Sequence, residues 1–161
     1  MKMSVITESV EKFSADPGTG RITPAVTATA ANGHTRLSTG PFNFECDLPP
    51  AVGGGGTAPS PTAYLLGALA GCAVSFISST LAPQFDVELT ELSATARCES
   101  SLAALLGIDG AAPDLTGLTI EITIDSPSPA DRVDAMRRAW TERCPVYLSL
   151  VRPMSVDVVF S

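Results

Sequence analysis

Between Pro61 and Ala82 the chain reads Pro-Thr-Ala-Tyr-Leu-Leu-Gly-Ala-Leu-Ala-Gly-Cys-Ala-Val-Ser-Phe-Ile-Ser-Ser-Thr-Leu-Ala, apolar on nearly every side of the helix it predicts. Ser60 stands where an N-cap is wanted and Pro61 at the first helical position, where its missing N–H costs nothing. A helix that is apolar all round is either the buried centre of a domain or a membrane span. Its length approaches the ~20 residues that a span needs. However, Ser75, Ser78, Ser79 and Thr80 make its second half polar, and no basic flank anchors either end. The run is therefore expected to be a buried central helix around which everything else is arranged, with no membrane as partner.

The flanking sequence supplies strands and one more substantial helix. Ile6, Val10 and Phe13 lie at helical spacing before Asp16-Pro-Gly18 stops the chain, so residues 1–20 are expected to form an N-terminal helix or arm. Ile22 to Ala31 favours strand, Asn32-Gly33 signals a hairpin, and Phe42, Phe44 and Cys46 alternate onto one face. The stretch 48–61 is a loop dense in Gly and Pro, with the run Gly53 to Gly56. Val87 to Ser100 reads as a strand with a change of phase, after which Leu92, Ala94, Ala96 and Cys98 face one way. A helical turn from Leu102 to Leu106 precedes Leu118 to Asp125, which alternates without error. Ser128-Pro-Ala-Asp131 reads as a capping box for a helix that turns Val133, Met136 and Trp140 inward and ends near Arg143. Pro145 opens a short helical segment, and Val156, Val158 and Phe160 alternate as a final strand. This order predicts one α+β domain over residues 1–161 in which an antiparallel sheet wraps a long buried helix.

Composition narrows the partners. At 161 residues, 45% hydrophobic and only 17% charged, the chain is rich in apolar surface for a monomer, and a homodimer is expected. The net charge is −7 and no basic run exceeds Arg137-Arg138, which excludes the electrostatic footprint of a nucleic-acid binder. The N-terminal residues carry neither an apolar core nor a small-residue cleavage site, so a cytoplasmic location is expected.

Four cysteines, Cys46, Cys72, Cys98 and Cys144, fit neither a secreted disulfide framework nor a CxxC signature. Cys46 and Cys98 fall on apolar strand faces and read as packing. Cys144 precedes Pro145, so if a helix starts there it is the N-cap, beside free amides that favour a thiolate. Cys72 lies deep in its helix, beyond the reach of the dipole, in surroundings that raise a thiol pKa. For Cys72 to act as nucleophile the fold must deliver a cation, and the candidates are Arg21 and Arg36. His34, in the predicted hairpin, reads as solvated, so neither a His base nor a metal site is expected. The glycine run lacks the Lys-Ser/Thr of a phosphate loop and reads as a lid or interface loop.

Gly55-Gly-Thr-Ala-Pro-Ser-Pro61, then Tyr64-Leu-Leu-Gly-Ala-Leu-Ala-Gly-Cys72, a long strand, and later Arg143-Cys-Pro-Val146, resemble the OsmC/Ohr family of thiol-dependent hydroperoxide reductases. The likeness runs from about Gly20 to Phe160. It implies an intertwined α+β homodimer with active sites built across the subunit interface, and no cofactor. By resemblance Cys72 is the peroxidatic cysteine that becomes a sulfenic acid, Cys144 the resolving cysteine, and an external thiol or dithiol the reductant. This reverses the local argument that favoured Cys144; a cation beside Cys72 would override its helix position. Gly20-Arg21 matches the family's activating arginine, with Arg36 in reserve. Where family peroxidases usually hold a carboxylate that orients this arginine, the chain has Thr62, which offers one hydrogen bond but no charge and no bidentate grip. Leu69, Phe76 and Tyr147, expected near the thiols, suit a fatty or aromatic hydroperoxide. The competing expectation is a dimer of the same fold that binds a small apolar ligand with little or no turnover, and Thr62 favours it. A redox sensor is a third reading, with no recognisable module to relay its signal.

Overall fold

The structure, a computed structural model, describes residues 2–152 and 154–160. Its helices are α1 (Lys2–Ala15), α2 (Pro61–Phe76), α3 (Ala82–Gln84), α4 (Leu102–Leu105), α5 (Ala130–Arg143) and α6 (Pro145–Val151). Its strands are β1 (Thr27–Ala31), β2 (His34–Thr39), β3 (Phe42–Cys46), β4 (Glu91–Glu99) and β5 (Thr116–Asp125). The fold is mixed α+β. β1, β2 and β3 form one antiparallel sheet in that order, and β4 and β5 form a second. Apart from its first three residues, the chain divides into two compact units: 68–95 with 120 onward, and 4–67 with 96–119.

The first unit holds the central helix's buried half. Ala73, Ile77 and Leu81 pack with Val133, Met136, Ala139 and Trp140 of α5, and Leu92, Ala94, Ile120, Ile122 and Ile124 of β4 and β5 close over them. Each large apolar side chain so enclosed contributes roughly 1.5–3 kcal/mol. The predicted single helix to Ala82 is interrupted: residues Ile77–Leu81 form a π-turn in which the Ala82 N–H reaches back to the Ile77 carbonyl. Pro83 explains the widening. It has no N–H for the Ser79 carbonyl, and its ring would collide with that carbonyl in a regular helix. Asp86, in the left-handed region at φ 52°, ends the helix, and its carboxylate takes a hydrogen bond from Arg132.

Two expectations fail in this unit. Ser128 does not cap α5, whose N-cap is Pro129 without a side-chain bond; its hydroxyl accepts the Glu88 N–H at 2.8 Å, tying the chain before β4 to the chain before α5. The final strand is also absent. Val156 and Phe160 are 74% and 93% exposed in chain without regular structure, because alternation sorts side chains between faces but cannot supply a neighbouring strand.

In the second unit Asn32 and Gly33 both take positive φ, 47° and 90°, the pair of left-handed residues that a tight hairpin requires, and Ala31 pairs with His34. The β-leaning stretch from Ile22 shortens to β1. Phe42, expected to face inward with Phe44 and Cys46, is 68% exposed; Cys46 is buried and Phe44 packs its ring 5.3 Å from that of Tyr64. Tyr64 in turn donates to the Glu45 carbonyl, fastening α2 to β3. His34 is half-buried rather than solvated, with Nε2 3.3 Å from a Glu45 carboxylate oxygen.

Candidate active site: a thiol pair

Helix α5 delivers Cys144 to the core. Val133, Met136 and Trp140 occupy its buried stripe, and Cys144, one turn beyond Trp140, continues that stripe while its N–H bonds the Trp140 carbonyl at 2.9 Å. Cys144 is fully enclosed, at 0% exposure. It is also the N-cap of α6, as its place before Pro145 suggests, yet its sulfur makes no capping bond. Instead the Cys144 thiol donates to the Cys72 sulfur over 3.4 Å. Both are free thiols. A disulfide needs about 2 Å between sulfurs, so a modest side-chain rotation separates this arrangement from a bond.

Burial pushes the Cys72 thiol up. Cys144 adds to the rise, first through the hydrogen bond between the two sulfurs and then through the cost of a second negative charge beside it. The backbone N–H of Val146, in the first turn of α6, hydrogen-bonds the Cys72 sulfur and pulls the other way. One of the amides expected to favour Cys144 thus acts on Cys72, and this contribution is not visible in sequence because any residue but proline can provide an amide. Tyr147 packs on the same core with its ring 5.1 Å from that of Trp140. The Trp140 indole N–H is buried without a hydrogen-bond partner among the described residues.

Of the other anticipated residues, Phe76 packs against this core and Leu69 is buried on α2. Arg21 and Thr62 belong to the second unit. Arg21 is exposed just after the 3-10 turn Pro17–Gly20, its N–H bonded to the Gly18 carbonyl. Arg36 is exposed on β2, opposite Glu45. Thr62 is half-buried in the first turn of α2, where Ser60 accepts the Ala63 N–H as the predicted cap. No group of three or more His, Cys, Asp or Glu side chains that could hold a metal occurs among the described residues.

The sequence reading overlooked Asp47. Its buried carboxylate accepts N–H bonds from Leu48, Gly55 and Thr57 and a bond from the Thr57 hydroxyl, at 2.8 to 3.3 Å. The Thr57 N–H above all, against the cost of burial, holds its pKa down at about 2. The glycine-rich segment is therefore a pinned loop. At Gly54 a Cβ would stand 1.9 Å from the Leu48 carbonyl oxygen, so only glycine fits.

An α+β chain that sets a thiol on its central helix against a second, buried thiol at the start of a later helix is a defined class of protein. The family model for OsmC-like protein matches residues 53–159, and the chain belongs to that family. An OsmC-like protein from Mycoplasma pneumoniae superposes with a TM-score of 0.66 at 18% identity, over 80% of this chain and 87% of that one. An osmotic-stress-induced and detoxification response protein from Psychrobacter arcticus gives 0.60 at 21% identity, over 83% and 90%. An organic hydroperoxide resistance protein, OsmC, from Legionella pneumophila gives 0.57 at 17%, over 81% and 90%. At these identities the likeness is one of fold. No curated protein matches by sequence.

Proposed function

We propose that the protein is a cysteine peroxidase for organic hydroperoxides, and the observation that carries this reading is the 3.4 Å contact between the half-buried Cys72 sulfur and the buried Cys144 sulfur. The Cys72 thiolate attacks the terminal oxygen of the hydroperoxide. An S–O bond forms, the O–O bond breaks, and the departing alkoxide takes a proton to leave as the alcohol. Cys72 is then a sulfenic acid. Cys144 attacks that sulfur, forming the disulfide and expelling hydroxide, which leaves as water with the Cys144 proton. An external dithiol returns two electrons and two protons by thiol–disulfide exchange. The Val146 amide supports the thiolate against the burial that opposes it. Arg21 supplies the missing cation, held by Thr62 in place of a carboxylate, within a homodimer. Leu69, Phe76 and Tyr147 favour an apolar substrate over hydrogen peroxide, and the hydroperoxide resistance role named for the Legionella pneumophila protein accords with this.

The test is a steady-state assay with cumene hydroperoxide and a dithiol. Wild type is expected to turn over, Cys72→Ser to fall to the uncatalysed rate, and Arg21→Ala to be slowed without loss of fold. Absence of turnover by wild type would favour the second reading, a ligand-binding member of the family, for which Thr62 is the supporting feature.

A further inference from the structure

Both donors described at the thiol pair, the Cys144 S–H and the Val146 N–H, serve Cys72. In the resolving step, however, the negative charge develops on Cys144, which is fully enclosed. Its core, which includes Ala73, Ile77 and Leu81 with Val133, Met136 and Ala139, holds no charged side chain among the described residues. Charge on a sulfur so placed is cut off from solvent and needs a hydrogen-bond donor inside the protein.

One polar hydrogen of that core is uncommitted. The Trp140 indole N–H is buried without a partner among the described residues, on a residue only 5% exposed. A buried indole N–H ordinarily finds an acceptor. Trp140 stands one helical turn before Cys144 on the buried stripe of α5, a spacing that sets the two Cβ atoms roughly 5–6 Å apart. Helical side chains tilt toward the N-terminus, which tips Cys144 back over the turn that holds Trp140.

We propose that the Trp140 indole N–H donates a hydrogen bond to the Cys144 sulfur as that sulfur becomes anionic in the resolving step. Cys144 attacks the Cys72 sulfur, the S–S bond forms, the S–O bond breaks, and the oxygen leaves as water with the Cys144 proton. The indole hydrogen is shared and not transferred. A neutral thiol is a weak acceptor and a thiolate a strong one, so the bond strengthens where charge grows and assists the step itself. This rests on the proposed roles of the two thiols but not on a hydroperoxide as the oxidant.

The test therefore uses a disulfide in place of the peroxide. The full chain is mixed with 4,4′-dithiodipyridine, quenched at intervals with acid, and its cysteine peptides are followed by mass spectrometry. Half-buried Cys72 should take the pyridyl group first, and Cys144 should then displace 4-thiopyridone to close the disulfide. Trp140 is the sole tryptophan, so replacing it with 3-benzothienylalanine exchanges one N–H for a sulfur at nearly constant shape. With the analogue, closure is expected to slow by about tenfold while labelling of Cys72 stays within about twofold of wild type. Closure at the wild-type rate, or equal slowing of both steps, overturns the proposal. So does any course in wild type other than labelling of Cys72 followed by closure. Absence of cumene hydroperoxide turnover would instead sink the peroxidase reading and leave this one standing.

Discussion

Around the thiols of the first unit, Ile77, Leu81, Met136 and Cys144 are all but inaccessible, and the apolar side chains of α5, β4 and β5 close the space between them. The second unit holds more leucines but leaves Leu102, Leu105 and Leu106 exposed, and its tightest feature is polar, the Asp47 carboxylate gripping a loop through backbone amides. One unit is fixed by packing and the other by hydrogen bonds. The difference bears on chemistry: dense packing fixes the separation of two sulfurs to within a rotation, at the cost of a thiolate that burial opposes, while the pinned loop depends on one carboxylate staying ionised.

The largest expected effect tests that contrast directly. Met136→Ala removes a fully enclosed side chain from the first unit and should cost about 2–5 kcal/mol. Leu105→Ala, at an exposed position of the second, should stay within about 0.5 kcal/mol. Urea denaturation monitored by circular dichroism measures both. Comparable losses would show that the exposed leucines are covered in solution, and would point to a second copy over them.

Much of the first unit is legible in the sequence because its logic is periodicity. The apolar run from Pro61 declares a core helix, and the spacing of Val133, Met136 and Trp140 declares the face that carries Cys144 inward. What escapes is whatever depends on backbone. The Val146 amide on Cys72 and the amides around Asp47 belong to groups that nearly every residue carries, so no residue type marks them. Ser128 escapes for a related reason: its hydroxyl can serve a helix start or a distant N–H, and in the fold it serves Glu88. The π-turn escapes too: Pro83, just after the apolar run, breaks the hydrogen bonding of the helix, and the apolar pattern from Pro61 to Ala82 gives no sign of it.

The polar grip of the second unit should show itself in acid. A free carboxyl of Asp takes up its proton near 3.8, while folded Asp47 holds out to about 2. Between those values the unfolded chain binds more protons than the folded one, so stability from this group is complete above the upper value and is lost as pH falls through the lower. The urea midpoint of wild type should therefore drop from pH 4 to pH 2 more steeply than that of Asp47→Asn, which starts lower and changes less. Parallel pH profiles would mean that the carboxylate is not what pins the loop. Gly54→Ala, which forces a Cβ onto the Leu48 carbonyl, should lower the midpoint at every pH without altering its slope.

The smallest effect lies in the ionisation of the thiol pair, and it separates packing from electrostatics at a single sulfur. Three influences act on Cys72: burial and Cys144 raise it, and the Val146 amide lowers it. Cys144→Ala removes one raising influence, leaves the amide in place, and substitutes a smaller side chain in a core that stays apolar. The thiolate absorbance of Cys72 should then titrate at lower pH than in wild type, although burial keeps it above the ordinary cysteine range, and alkylation of Cys72 at neutral pH should become faster while disulfide formation is lost. If the titration instead moves up, the hydrogen bond donated by the Cys144 thiol outweighs the competition for charge, and the pair is better described as a thiolate on Cys72 held by its neighbour than as two sulfurs contending for one charge.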